Sequence, residues 1–418
     1  RIFVLGGRVL GIIKRIAREG GFLNNISRGG SAEIVTDPKT FNVLRRVGTT
    51  VASIFDLTIC GVDVIYDEIE QKFFFLEVNT VPQWRGFQKA TGINVAKEII
   101  LFCKRLSDRQ IKTIPELVQE EYTTQIHFLA GKKFHFLSRM FLWTGKETYE
   151  KMIADLKKTY IGETEREHEI ILRKVHMTLP EHGNQMVARE ARMELFTKYP
   201  NLEPCLNLLF KNLFAEKIYG INLRPLIKKI VTNDEFISLK NSLESDEDAL
   251  RILSTHALNY LYLLEYYIQT NEGRIDLERY LRVGNSYPVN NFELQIYFFT
   301  HCIIGASMFY SEKINNEDIG VYTKMLKRIE QIISDHFQQI SLDNKFEFLV
   351  CARLCGFHTS IEEQILAEAS RSLSPVSNFL IDTENSKAAP EERNDFVGSE
   401  HRNVLFIMSQ TLYQRHEG

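Results

Sequence analysis

The segment FFFLEVNTVPQWRG, residues 73–86, is an apolar run that ends on a carboxylate and an amide two residues apart, Glu77 and Asn79. Because successive side chains of a strand alternate between its two faces, Glu77 and Asn79 point to one face while Val78 points to the other. Pro82 then breaks the strand. The pattern predicts a strand that presents two oxygen ligands on the same surface.

A second carboxylate comes from the preceding apolar run, TICGVDVIYDE, at residues 58–68. The polar stretch from Asp67 to Gln71 predicts a turn, so the two runs form a hairpin that places Asp63 across from Glu77. Carboxylate and amide oxygens without Cys or His suit a hard cation that keeps part of its water, which favours Mg²⁺ over Zn²⁺. The alternative is that each carboxylate is an ordinary solvated residue at the rim of a sheet.

Residues 8–35, RVLGIIKRIAREGGFLNNISRGGSAEIV, are rich in cationic side chains and glycines. Guanidinium groups donate paired hydrogen bonds to phosphate oxygens, and glycines leave backbone N–H groups uncovered. The stretch therefore predicts a phosphate-binding surface, whereas a solvated basic face is the simpler alternative. Its cationic residues and paired glycines are Arg8, Lys14, Arg15, Arg18, Arg28, Gly20, Gly21, Gly29 and Gly30.

Taken together, these segments resemble the ATP-grasp carboxylate-amine ligases, and among them the RimK-like branch that joins amino acids to the carboxyl end of a protein or peptide. The resemblance covers about residues 1–106 and passes in order through RIFVLGGRVLGIIKR, FLNNISRGG, CGVDVIYD, FFFLEVNTVPQWRG and KATGINVAKEII. It implies the C-terminal part of an ATP-grasp domain, an antiparallel sheet with flanking helices. Such enzymes hold ATP between two lobes, phosphorylate a substrate carboxylate and let an amine attack the acylphosphate.

The resemblance implies metal and substrate contacts at particular positions of this sequence. Asp63, Glu77 and Asn79 would be the ligands of Mg²⁺, with Mn²⁺ as an alternative, and Glu77 would bridge two ions. Arg1 matches an arginine on the family's preceding strand, and Arg85 lies in the loop after the metal strand, so both are expected to bind substrate. The bulk of the loop around Arg85 departs from the family pattern, which leaves the substrate open.

The resemblance also implies a site for ATP and its phosphates. Arg15 would lie against the transferred phosphoryl group, and Asn25 with Arg28 would line the phosphate and acylphosphate site. Gly29 and Gly30 would let that loop approach the phosphates closely. Arg15, Asn25 and Arg28 are thus the expected catalytic residues, with ATP and Mg²⁺ as cofactors.

The expected function is an ATP-dependent ligase that adds an amino acid, through its amine, to the carboxylate of a peptide or protein. Two alternatives stay open: a non-catalytic ATP-grasp-derived scaffold with a helical protein-interaction domain, and a ligase whose acceptor is a small molecule.

Compared with the family, the N-terminal lobe and the nucleotide lid are missing upstream of Arg1. We therefore expect a fragment that binds ATP weakly and is inactive by itself.

Composition narrows the class of protein further. The formal net charge of −3 argues against wholesale nucleic-acid binding. The six Cys include no Cys-x-x-Cys pair and fit buried thiols in a reducing compartment, so a cytoplasmic location is expected. The apolar run NYLYLLEYYI is interrupted by Glu265 and is too short to cross a bilayer, so no membrane partner is expected. A homo-oligomer is an open alternative.

The pattern of apolar residues changes near residue 107. Beyond it, apolar residues recur at spacings of three and four, as in amphipathic helices that pack on one another. The fold class predicted for the chain is therefore α+β, with the ATP-grasp part followed by a large all-α domain. The predicted limits are residues 1–106 for the ATP-grasp part, 107–115 for a linker, 116–380 for the all-helical domain, and 381–418 for a polar connector and terminal helix.

Overall fold

A computed structural model gives the backbone and side chains of most of the chain. The residues that it describes are 1–16, 31–109, 111–178, 189–270, 273–288, 291–314, 317–374, 376–382 and 395–414.

The chain folds into two compact units. The first unit contains Arg1–Lys133 and Ala367–Asn403, and the second contains Phe134–Leu366 and Val404–Gly418. Each unit is thus built from segments that are distant in sequence. The domain limits inferred from the sequence pattern stay a prediction, because compact units and evolutionary domains are defined on different grounds.

The first unit contains an antiparallel sheet. Its five strands lie in the order β3-β2-β1-β4-β5 within the described residues. The predicted hairpin of residues 58–79 is present as β4 and β5. The strands are β1 (Ile2–Leu5), β2 (Arg8–Ile16), β3 (Ser31–Ile34), β4 (Ile59–Asp67) and β5 (Lys72–Asn79).

Helices cover both faces of this sheet. On one face, α1 (Pro38–Ile54) packs with Val62 and Val78 in a buried apolar layer. On the other face, Phe87 of α2 (Arg85–Thr91) and Phe102 of α3 (Val95–Asp108) pack against β1 and β2. The predicted α+β fold, an antiparallel sheet with flanking helices followed by a large helical region, is confirmed.

Two arginines attach the late segment of the chain to the first unit. The Arg109 guanidinium, at the end of α3, donates hydrogen bonds to Asn378 Oδ1 at 2.7 Å and to the carbonyl oxygen of Ser374 at 2.7 Å. Arg45 of α1 forms a buried ion pair with Asp395. These contacts make residues 367–403 part of the same packed unit as the sheet.

The rest of the described chain is almost entirely helical, and helix ends follow capping chemistry. Thr164 accepts a hydrogen bond from the Glu167 backbone at 3.3 Å while the Glu167 side chain accepts from the Thr164 backbone at 3.0 Å. None of the described helices is both long and apolar enough to cross a membrane. The remaining helices are α4 (Ile114–Thr124), α5 (Lys133–Thr144), α6 (Glu147–Ala154), α7 (Lys157–Tyr160), α8 (Glu165–Met177), α9 (Arg189–Lys198), α10 (Leu202–Tyr219), α11 (Arg224–Ile227), α12 (Asn233–Glu244), α13 (Glu247–Leu253), α14 (Thr255–Ile268), α15 (Leu277–Asn285), α16 (Phe292–Ala306), α17 (Ile319–Asp335), α18 (Leu342–Leu354), α19 (Glu362–Arg371) and α20 (Glu400–Gln410).

The second unit buries a carboxyl group in its core. Glu347 of α18 is 3% exposed and accepts a hydrogen bond from the Thr300 hydroxyl of α16. His301 Nε2 lies 4.0 Å from Glu347 Oε1, and His301 Nδ1 lies 2.7 Å from Asn259 Oδ1 of α14. Burial raises the pKa of Glu347 to about 7, although Thr300 and Arg139 favour its charged form.

The raised pKa of Glu347 predicts a pH-dependent stability. Since its pKa in the folded protein lies above the ordinary value of 4.5, its stabilising contribution is complete below about pH 4.5 and is lost as pH rises through about 7. Glu347→Gln mimics the protonated form, so we expect the free energy of unfolding to fall less between pH 5 and pH 8 than in the parent. Urea denaturation at several pH values measures this, and parallel profiles for the two proteins would contradict it.

The turn between β1 and β2 predicts a second stability effect. Gly6 and Gly7 have φ angles of +57° and +72°, as the two central residues of a tight hairpin require. A Cβ on Gly6 would also collide with the Phe102 ring. We expect Gly6→Ala to lower the free energy of unfolding by about 3 kcal/mol, from backbone strain and overpacking together.

Gly92 offers a matched control for the Gly6 substitution. Its φ is +74°, but a Cβ there would meet nothing within 4 Å. Gly92→Ala should therefore show only the backbone strain, about 1 kcal/mol. Equal losses in the two variants, measured by urea denaturation, would show that the contact with Phe102 carries no weight.

Candidate functional site

The hairpin of β4 and β5 places two carboxylates opposite each other. Asp63 pairs with Glu77, and Gly61 pairs with Asn79. Directly opposed residues of an antiparallel pair share a face, and Val62 points into the α1 layer. Asp63, Glu77 and Asn79 therefore lie together on the face away from α1.

An irregularity in the strand pairing separates the carboxylates from the aromatic part of β5. The register shifts between Asp63 and Val64, so that Val64 pairs with Phe75 and Leu76 is the extra residue of the bulge. Val64 packs against the α1 layer, whereas Glu77 lies on the opposite face. Because of the bulge, Phe75, which pairs with Val64, faces the α1 side of the sheet, whereas Glu77 faces the other side.

Asp63 is held by two arginines. Arg1 Nε donates to Asp63 Oδ1 at 2.9 Å and Arg1 Nη2 to Oδ2 at 2.6 Å, which is a bidentate pair. Arg15 Nη2, at the end of β2, lies 3.0 Å from Asp63 Oδ2. Burial disfavours the Asp63 carboxylate, but the hydrogen bonds and charge of Arg1 and the charge of Arg15 outweigh it and lower the pKa of Asp63. Asp63 is therefore ionised at neutral pH and leaves one net positive charge on the pair of arginines.

Glu77 and Asn79 have different surroundings. Glu77 is exposed, and within the described ranges no side chain forms an ion pair or hydrogen bond with it. Asn79 Oδ1 accepts a hydrogen bond from the Val81 backbone at 3.0 Å, which holds the start of the following loop. The Glu77 carboxylate is thus available to a ligand, while Asn79 also has a structural task.

A cavity of about 780 Å³ opens beside the two arginines. Arg1, Ile13 and Arg15 line it from the sheet, and residues 81–87, which are the loop after β5 and the start of α2, complete its lining. Arg85, predicted to bind substrate, is exposed and lines this cavity. Three guanidinium groups around one cavity favour an anionic ligand.

The structure shows one contributor that the sequence reasoning missed. Gly61 lies opposite Asn79, and a Cβ there would approach Pro82 to 3.0 Å and Arg1 Nε to 3.6 Å. Gly61 therefore makes room for Pro82 in the turn after β5, whereas a Cβ would meet Arg1 only at ordinary van der Waals distance. An isolated glycine inside a strand often marks such a close approach, so the signal was present in CGVDV.

The remaining predicted phosphate-site residues cannot be placed. Asn25, Arg28, Gly29 and Gly30 lie outside the described residues. Arg1, predicted as a substrate contact, lies on Asp63, and Arg15 lies beside it. The predicted trio of Asp63, Glu77 and Asn79 is brought to one face, and its role as a metal site stays a prediction.

Comparison with known proteins agrees with this geometry for the first quarter of the chain. Residues 1–103 match the RimK-like ATP-grasp domain. This match includes the whole sheet, α1, α2 and most of α3, and we refer to residues 1–103 as the RimK-like region. The resemblance inferred from the motifs is confirmed for this region.

Curated relatives of the RimK-like region have a common name. Proteins called "probable alpha-L-glutamate ligase" from Psychromonas ingrahamii and Aliivibrio fischeri are 37% and 39% identical over 105 residues, and one from Halorhodospira halophila is 38% identical over 106 residues. Each alignment covers 25% of this chain and 33% of the relative, so the chain spans about a third of the length of the curated relatives it matches. The comparison with solved structures found no match.

The donor set fits a hard cation, with one qualification from the geometry. Two carboxylates and an amide on neighbouring strands are oxygen ligands of the type Mg²⁺ takes, with water and phosphate completing its shell. Glu77 is available, but both oxygens of Asp63 bind arginines. No group of three or more His, Cys, Asp or Glu side chains suited to a metal was found among the described residues. The oxygens of Glu77 and Asn79 thus suit such an ion, whereas those of Asp63 already contact Arg1 and Arg15.

The paired Asp63 predicts a loss of stability on neutralisation. Asp63→Asn leaves two guanidinium groups without their counter-charge beneath the cavity, and we expect the free energy of unfolding at pH 7 to fall by about 3 kcal/mol. Because the folded pKa of Asp63 lies below its ordinary value of 3.8, its contribution is present above about pH 4 and is lost as pH falls further. The difference between parent and Asp63→Asn in urea denaturation should therefore shrink at low pH, and a constant difference down to pH 3 would argue against the ion pairs.

Proposed function

We propose that this protein is an ATP-dependent carboxylate-amine ligase that acts through an acylphosphate and adds an amino acid to the carboxylate of a peptide or protein. One observation supports the proposal most directly: within the RimK-like region, Asp63 and Glu77 are opposed across two strands beside Arg1 and Arg15. The names of the curated relatives point to glutamate as the amino acid.

The chemistry of phosphoryl transfer explains why such a site needs arginines as well as carboxylates that bind a metal ion. A substrate carboxylate oxygen attacks the γ-phosphorus of ATP and ADP leaves, which brings two anions together and spreads negative charge over the phosphoryl oxygens. Arg15 and Arg1 line the cavity and supply positive charge there. A bound Mg²⁺ would add charge neutralisation at the phosphates, with Glu77 and Asn79 as its protein ligands.

The second step joins the two substrates. The amine attacks the acyl carbon, the bond to phosphate breaks, and phosphate and a proton are released. Positioning of the amine and exclusion of water give most of the remaining acceleration. Arg85 is assigned to a substrate carboxylate because it lines the cavity opposite Arg1 and Arg15. Recognition of a peptide or protein acceptor is assigned to the helical region.

A second candidate function is a non-catalytic scaffold derived from an ATP-grasp domain. The observation in its favour is the bidentate pair of Arg1 and Asp63, which occupies both oxygens of a predicted metal ligand. A measurement of ATP turnover distinguishes a ligase from a scaffold. With protein produced from the complete reading frame, a ligase releases ADP and phosphate only when a carboxylate and an amine are both supplied, whereas a scaffold releases neither.

Glu77→Gln is the sharpest substitution test of the ligase. It removes the charge of an exposed side chain, so we expect stability to change by less than about 0.5 kcal/mol while ATP-dependent product formation falls at least about 100-fold, which corresponds to about 2.7 kcal/mol of transition-state stabilisation. The measurements are coupled ADP release and product analysis.

Glu70→Gln in the same hairpin is the matched control. Glu70 is exposed and lies 3.8 Å from Lys72, away from the proposed site. It should retain the parent rate. If Glu77→Gln also formed product at the parent rate, the metal-ligand assignment would be wrong.

A further inference from the structure

Lys211 of the second unit lies against an aromatic cluster. Its Nζ is 3.4 Å from the centroid of the Tyr160 ring and donates a hydrogen bond to the Tyr160 carbonyl oxygen at 2.6 Å. The Tyr160 ring stacks on Phe134 at 3.8 Å, and Tyr219 lies 6.1 Å away. The amine is thus fixed in position over a stacked, apolar surface.

Among the described residues, Lys211 has no acidic partner of the kind that most partly buried lysines have. Within the part of the chain that the structure describes, no carboxylate lies within ion-pair distance of its Nζ. Lys217, on the same helix, provides the contrast: its Nζ lies 2.6 Å from Glu312 and 5.4 Å from the Tyr266 ring. Both lysines lie on α10 and both have an aromatic neighbour. They differ in that Lys217 has a carboxylate partner among the described residues and Lys211 does not.

Burial determines the protonation of Lys211. The aromatic face and the carbonyl oxygen attract the ammonium form, but burial outweighs them and lowers the pKa of Lys211 to about 8. At pH 7.5 roughly a quarter of such amines are neutral, against about one in a thousand for an ordinary lysine. The lower basicity of the amine offsets part of this gain in nucleophilicity.

The hydrogen bond to Tyr160 persists in the neutral form. A neutral amine still carries two N–H donors, so one can remain on the Tyr160 carbonyl oxygen at 2.6 Å while the lone pair points elsewhere. Lys211 is half-buried, so part of its side chain remains accessible to solvent and access to it is restricted. A positioned, partly neutral amine with restricted access is suited to selective acylation.

We propose that Lys211 is a modification site that accepts small acyl groups from acyl phosphates. The Nζ lone pair attacks the acyl carbon, the carbon–oxygen bond to phosphate breaks, inorganic phosphate leaves with the electron pair, and the nitrogen releases one proton to solvent. The product is an uncharged amide on Lys211. This inference stands apart from the ligase proposal, because the acyl phosphate is supplied as a reagent and ATP is not required.

The test is acylation of the folded protein by acetyl phosphate, read out by peptide mass spectrometry. At pH 7.5 we expect acetylation of Lys211 to exceed that of Lys217 by at least about fivefold. The rate at Lys211 should level off above about pH 8 in the folded protein, whereas in urea-unfolded protein the rate at Lys211 should continue to rise with pH.

Two controls separate the folded environment from local sequence. In urea-unfolded protein the two lysines should react alike, and Lys211→Arg should abolish the signal assigned to position 211 without changing acetylation of Lys217. Equal acetylation of Lys211 and Lys217 in the folded protein would overturn the proposal. A preference for Lys211 that survived unfolding would overturn it as well.

Discussion

The buried carboxylate of Asp63 constrains how the strands of the first unit are arranged. It is 3% exposed, and it stays ionised because Arg1 and Arg15 approach it from two neighbouring parts of the sheet. This arrangement requires β1, β2 and β4 to keep their register, while Gly61 of β4 leaves space for Pro82, which lines the cavity. The ion pairs of Asp63 with Arg1 and Arg15 thus depend on the order of the strands, and the same two arginines line the cavity.

The two opposed carboxylates divide their tasks. Asp63 neutralises arginines inside the sheet, whereas Glu77 is exposed at its edge and is available to a ligand. Arginines therefore line the cavity, while Glu77 lies across from the carboxylate that binds two of them, a favourable setting for a phosphate accompanied by a cation.

Local patterns were sufficient for much of the fold and for part of the site. Alternation along residues 58–79 predicted the hairpin and the shared face of Asp63 and Glu77, because strand periodicity is a local property. The bulge at Leu76 was not predictable, since the run FFFL has no polar residue to mark a change of face. The pairs Arg1–Asp63 and Arg45–Asp395 were also beyond local reasoning, because they join residues far apart in sequence.

The composition of the first unit has a consequence for biosynthesis. Its sheet lies within residues 2–79, but Ala367–Asn403 completes the unit only after Phe134–Leu366 have been made. At roughly 5–20 residues per second, the interval on the ribosome is on the order of ten to fifty seconds. During that time the ion pair of Arg45 with Asp395 and the hydrogen bonds of Arg109 to Ser374 and Asn378 have yet to form.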